Sequence, residues 1–207
     1  MKAILVSKKF IGHMNPIVRQ TVQKCEKKLR PKIPYVIDVA PTNDKFVIKK
    51  MGGSTGWTPS NQKINLDVST ESRHWKKSLE SSVAHEFNHV IRMQYLGLNS
   101  SNEFTMIDTV AFEGLAQVFE EEITEKQSPY SKAISEKEAT KIWKSMKSYK
   151  KSDYYWTFFP NSWQKKYPLW CGYTVAYLIV KKRKSELDLT WTELMRLNSK
   201  KLVGKGL

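Results

Sequence analysis

The chain has 207 residues, 40% of them hydrophobic and 12% aromatic, and its 35 Lys and Arg against 20 Asp and Glu leave a formal charge of +15. That composition excludes a disordered chain, and two cysteines permit one disulfide but do not suggest a disulfide scaffold. The length fits a single α+β domain with a real core, expected to comprise an N-terminal lobe over residues 1–98 and a helical C-terminal lobe over 99–207.

Residues 1–9 carry too short an apolar run for a signal peptide, and no stretch approaches a membrane span, so a cytoplasmic protein is expected. Residues 10–30 read as a helix. Ile17, Val18, Val22, Cys25 and Leu29 make an apolar stripe among Lys and Gln, and Pro31 ends it. Three β-like runs follow, at 35–40, 46–50 and 64–68. Asn43-Asp44 separates the first two, and a longer stretch with Gly52, Gly53, Gly56, Pro59 and Asn61 separates the others. This punctuation predicts a small, mostly antiparallel sheet. Turn formation is the simpler use of the glycines, which would also let an extended peptide come close to a strand edge.

The next helix begins between 70 and 77 and runs to about Gly97. It contains Ala84-His85-Glu86-Phe87-Asn88-His89, an H-E-x-x-H pattern. On a helix, His85 and His89 stand one turn apart on one face, spaced to hold one Zn²⁺ between their imidazoles. Glu86 lies about 100° round the helix, where its carboxylate can take a proton from a zinc-activated water without being a ligand. Leu79, Val83, Phe87, Val90 and Ile91 form an apolar stripe, with Ser78, Ser81, Ser82, His85, His89 and Arg92 on the other side. Such a pattern predicts a helix packed by one face. The bland alternative is two surface histidines on an ordinary helix.

A further helix is expected over 103–124. If it returns antiparallel, about ten residues from Glu103 bring it level with the histidines, at Glu113. Asp108 stops more than a turn short and Glu120 overshoots by about two turns. Glu113 is also the only charge in the stretch 109–119, where an unpaired carboxylate would be costly. Pairing with Arg92 or a lysine would satisfy it too. Ser135 and Glu138 have capping-box spacing and begin another helix. Residues 148–170 are aromatic and irregular, a pattern of packing more often than of a substrate wall. Helices are expected from Cys171 to Lys182 and from near Thr190, and a cleft between the sheet lobe and the later helices is the expected site.

The H-E-x-x-H pattern followed on the next helix by Glu113-Gly114-Leu115-Ala116 resembles the gluzincin metallopeptidases. Within them the chain is most similar to a bacterial family of predicted zinc-dependent proteases, over roughly residues 35–185. The likeness includes the Gly-rich approach to Ile64-Asn65-Leu66-Asp67 and the pair Gly172-Tyr173. It implies a zincin-like fold with the sheet packed on the metal-binding helix. It also implies one zinc per chain held by His85, His89 and Glu113, with Glu86 the base of peptide hydrolysis.

Such chemistry needs an oxyanion donor besides the metal. Tyr173 is the first choice, with Tyr167 and His74 as alternatives. Asp108, Asn88 and Thr109 are candidates to hold a ligand from behind. The expected partner is a peptide or protein substrate, and the charge favours an acidic one. A solvated lysine-rich surface accounts for that charge more simply. Only Lys181-Lys182-Arg183-Lys184 is a dense basic run, and no nucleic-acid-reading motif accompanies it, so no specific nucleic-acid partner is expected. Two rival functions stand beside this one: a zinc hydrolase of non-peptide amides or esters, and a basic non-catalytic binding module with a vestigial zinc site. Glu86 weighs against the vestigial reading, because a structural site has no use for it and usually has four protein ligands.

Overall fold

A computed structural model describes residues 14–101, 104–146, 158–159 and 167–207. Residues 10–13 of the first expected helix, Glu103, and Tyr149, Tyr154, Tyr155, Trp156 and Trp163 of the aromatic stretch lie outside the described residues. Among the described residues the fold is α+β and mostly helical. In chain order the elements are α1 (Met14–Lys28), β1 (Val36–Pro41), α2 (Lys45–Lys50), β2 (Ser54–Ser60), β3 (Lys63–Val68), α3 (Trp75–Leu96), α4 (Met106–Thr124), a 3₁₀ turn (Pro129–Lys132), α5 (Glu136–Met146), α6 (Cys171–Leu187), α7 (Trp191–Arg196) and α8 (Ser199–Val203). Among the described residues no helix is long and apolar enough to cross a membrane. The chain divides into two compact units: residues 1–101 with 119–125, and residues 102–118 with 126–207. Helix α4 runs unbroken through both.

In the first unit, α1 packs on α3 and buries Val18, Val22 and Cys25 of the expected stripe, with Leu29 buried just beyond its end, whereas Ile17 is half-buried and Met14 joins the core instead. The sheet has the order β1-β3-β2, with β1 parallel and β2 antiparallel to β3. It is therefore mixed rather than mostly antiparallel. Two local misreadings explain the difference. Residues 46–50, expected as a strand from their Phe-Val-Ile run, form α2, because the Asp44 side chain accepts a hydrogen bond from Phe46 N at 2.7 Å and caps a helical turn. Residues 54–60, expected as turns, form β2 on the sheet edge, where pairing with β3 overrides the poor strand propensity of Gly and Pro. Only Gly52 and Gly53 serve the turn itself, at φ 76° and 103°.

Buried Ile37, Val39, Ile64, Leu66 and Val68 alternate along β1 and β3. The sheet packs on α3, with Leu79, Val83, Phe87, Val90 and Ile91 in the core. The Tyr35 ring meets Phe87 edge-on at 5.8 Å. Helix α3 departs from the expected one-sided packing. Every residue from Val83 to Gln94 is buried, so His85, His89 and Arg92 lie inside the protein rather than on a polar face. Gly97, at φ 69°, ends the helix, with Leu98 N bonded back to Met93 O at 2.9 Å.

In the second unit, α6 lies against the N-terminal part of α4. A Cβ on Gly114 would fall 2.4 Å from the Ala176 carbonyl oxygen, so the close approach depends on glycine there. The Gln117 amide nitrogen donates to the Tyr173 carbonyl at 2.9 Å, and its oxygen accepts from the Ser131 hydroxyl at 2.8 Å. The expected capping box at Ser135 and Glu138 is present, and Thr190 with Glu193 forms another at the start of α7. Cys25 and Cys171 are both buried free thiols.

Candidate metal centre

Helix α3 presents His85 and His89 one turn apart, their rings 4.7 Å between centroids and nearly perpendicular. Both are buried, at 7% and 4% exposure. Buried imidazoles need polar company. His85 has it in the fully buried Glu120, whose Oε2 lies 3.2 Å from His85 Nδ1. With the neutral ring donating from Nδ1 to this oxygen, Nε2 is the nitrogen that keeps a lone pair for a metal.

The part of α4 that carries Glu120 belongs to the first unit and is held there by Phe119 stacked on Phe87 at 6.2 Å and by Lys28 paired with Glu122. Glu113 lies seven residues before Glu120 on the same continuous helix, and so on the same face two turns away. His85, His89 and Glu113 each offer one ligand atom, and these atoms lie within 4.8 Å of one another. Glu113 is buried, at 6% exposure. A tetrahedral zinc sets its donors roughly 3.4 Å apart, inside this limit, and two imidazoles with one carboxylate are a donor set that zinc accepts. The buried His-His-Glu cluster could therefore hold a metal. Among the described residues it is the one His/Cys/Asp/Glu group with such geometry.

Glu86 is buried beside the edge strand. The Thr58 hydroxyl of β2 lies 2.7 Å from Glu86 Oε2 and 3.3 Å from the Glu86 carbonyl oxygen. Two residues earlier, a Cβ on Gly56 would fall 2.6 Å from Glu86 Cγ.

The remaining candidates lie in different surroundings. Asp108 accepts from Thr105 N and Thr105 Oγ1 at the start of α4, and Thr109 donates back to the Thr105 carbonyl. Asn88 is fully buried, and neither of its amide atoms has a hydrogen-bond partner among the described residues. The partner behind His85 is Glu120, a residue that helical rise alone puts out of ligand range; its seven-residue spacing from Glu113 is the signal that points to it. His74 is exposed and bonded to Arg73, eleven residues or roughly 16 Å along α3 from His85. Tyr167 lies against Phe158. The Tyr173 ring is buried between Tyr130 at 5.5 Å and Phe159 at 5.1 Å.

Comparison with known proteins agrees with this chemistry. The family model described as Predicted Zn-dependent protease (DUF2268) matches residues 14–204, a wider span than the resemblance at 35–185. No curated protein and no solved structure matches the chain.

Proposed function

Since the chain belongs to the family of predicted Zn-dependent proteases, we propose that it is a zinc metallopeptidase of gluzincin type and zincin-like fold, binding one zinc through His85, His89 and Glu113. The observation that carries the reading is the buried cluster of these three side chains within 4.8 Å. Zinc, when bound there, supplies Lewis acidity to the scissile carbonyl and makes a water easier to deprotonate.

The chain's own residues do the rest. Glu86 is the general base: its carboxylate takes a proton from the attacking water and passes it to the departing amine. Glu120 orients the His85 ring and fixes its tautomer, the usual office of a carboxylate behind a metal-binding histidine. The Tyr173 hydroxyl is proposed to donate to the developing oxyanion, and Gln117 anchors its backbone. An extended peptide is the substrate, and β2, as the edge strand that touches Glu86, is where its backbone would pair.

The deciding experiment is metal analysis of the purified chain with digestion of a peptide library, on wild type and Glu86→Gln. The wild type is expected to hold one zinc and to cleave peptides until chelated. Glu86→Gln is expected to keep the zinc and lose turnover by ~10²–10⁴-fold. A chain that takes up no zinc would overturn the metalloenzyme reading. Zinc-dependent cleavage of esters or non-peptide amides alone would transfer the site to the rival hydrolase class.

A further inference from the structure

We infer that Thr58 is a positioning residue for the general base: its hydroxyl holds the Glu86 carboxylate by one oxygen, so that the other is the one presented to water. The inference rests on the metallopeptidase reading for the role of Glu86, and on contacts within the first unit for the role of Thr58.

Three features of β2 converge on Glu86. Thr58 Oγ1 is 2.7 Å from Oε2, a normal length for a hydroxyl donating to a carboxylate. The hydroxyl has one proton, so the carboxylate and the Glu86 carbonyl at 3.3 Å compete for it, and the nearer, charged acceptor takes it. Among the described residues no other hydrogen bond reaches the Glu86 carboxylate. Gly56 faces the same side chain, and any Cβ there would collide with Glu86 Cγ at 2.6 Å and Leu66 Cδ2 at 2.8 Å. The strand therefore passes close enough to grip the base only because position 56 has no side chain.

The register shift occurs at the same place. Trp57 pairs with Asn65 and Ser60 with Lys63, so β2 carries one extra residue beside Thr58 and Pro59. A bulge of this kind re-aims the neighbouring side chain, and proline without its N–H is tolerated at such a break. Glycine, threonine and proline in Gly56-Trp57-Thr58-Pro59 resemble a loop in sequence, yet each has a use where β2 meets the base.

A base held by one oxygen has a defined direction for the other, and misdirection of a reacting group by about 1 Å costs roughly 10²-fold in rate. Removing the hydroxyl should thus lower kcat without touching metal binding. Thr58 is well placed for such a test, because its hydroxyl contacts Glu86 and not the metal-binding cluster.

The test compares wild type, Thr58→Val, Thr58→Ser, Gly56→Ala and Glu86→Gln as full-length, zinc-loaded proteins. A fluorescence-quenched peptide library reports kcat and KM, metal analysis reports zinc, and the ¹³C resonance of the Glu86 carboxyl, assigned by its absence in Glu86→Gln, reports the hydrogen bond directly. Thr58→Val is expected to keep its zinc and its KM, to lose ~10- to 100-fold in kcat, and to shift the Glu86 carboxyl resonance. Thr58→Ser should return both readouts to wild type. Gly56→Ala, with Thr58 intact, should also move the resonance and lower kcat. If Thr58→Val fails to fold, Thr58→Ser against Thr58→Ala makes the same comparison.

Wild-type kcat and an unmoved resonance in Thr58→Val, with Glu86→Gln inactive, would overturn this inference alone. Full turnover in Glu86→Gln would remove the base and the inference with it. A Thr58→Ser as damaged as Thr58→Val would show a packing role and overturn it also. Should no library peptide be cleaved, the resonance arm still decides whether Thr58 holds the carboxylate.

Discussion

Glu113 and Glu120 make the most direct comparison at the scale of single residues. They share a helix face and both are buried, but the ligand-distance cluster includes only Glu113, whereas Glu120 meets His85 from behind at Nδ1. Replacing each by Gln preserves volume and removes charge. Glu120→Gln is expected to weaken zinc binding by about 10- to 100-fold, the usual loss when the partner of a ligand histidine is changed. Glu113→Gln should weaken it well beyond that, since one of the three proposed ligands becomes a neutral, poor donor. Competition against a chromophoric chelator measures both. The reverse order of losses would assign the ligand role to Glu120. The pair also shows what periodicity alone could reach. The helical rise picks out Glu113 from its neighbours, but it reads Glu120 as out of range, because it judges distance to the metal and not to the ring behind it.

Among the elements, α3, α4 and α6 depend on two glycines for different reasons. Gly114 is small because the α6 backbone leaves no room: an added Cβ would lie 2.4 Å from both the Ala176 oxygen and Val180 Cγ2. Gly97 has open space around it and is needed only for its left-handed φ of 69°. Gly97→Ala should therefore cost about 1 kcal/mol, the conformational penalty alone. Gly114→Ala should cost about 1–3 kcal/mol through forced repacking. Urea unfolding of the two variants separates them, and only Gly114→Ala, one residue from Glu113, should also weaken zinc binding. An equal loss from both would mean that α4 and α6 can part without strain. The end of α3 and the starts of α5 and α6 follow from patterns local to each helix, namely apolar spacing, caps and the terminal glycine, whereas α6 runs to Leu187, five residues past its expected end at Lys182. The edge strand could not be read the same way, since nothing local to Gly56-Trp57-Thr58-Pro59 favours a strand.

For the whole molecule, two bulk properties lead to expectations. A metal that the folded chain binds and the unfolded chain does not stabilises the fold. Zinc at a thousandfold excess over its dissociation constant would stabilise the folded chain by about 4 kcal/mol. Chelation should then lower the thermal midpoint by roughly 10 °C for a protein of this size, as calorimetry with and without chelator would show. An unchanged midpoint would mean that the cluster binds no zinc in the folded state. The charge of +15 should attract nucleic acid weakly and without sequence preference, because neutralised phosphates supply affinity and no reading motif supplies choice. Anisotropy with two unrelated oligonucleotides at low and physiological salt checks this. Tight, selective binding would favour the binding-module rival.

Sequence by itself determined what is encoded within one turn or one motif. The four-residue spacing of His85 and His89 places both on one helical face wherever the helix lies, and Ser135 with Glu138 closes a cap from local geometry alone. It also supplied the family resemblance. Tertiary structure decided everything that requires two distant segments to meet. It made β1 parallel to β3, turned 54–60 into an edge strand, buried α3 on every side across the His-bearing turns, and put Glu120 behind His85 and Thr58 on Glu86. Strand pairing and buried hydrogen bonds are satisfied by whatever partner the packed chain brings near, and local residue patterns carry no record of which partner that is.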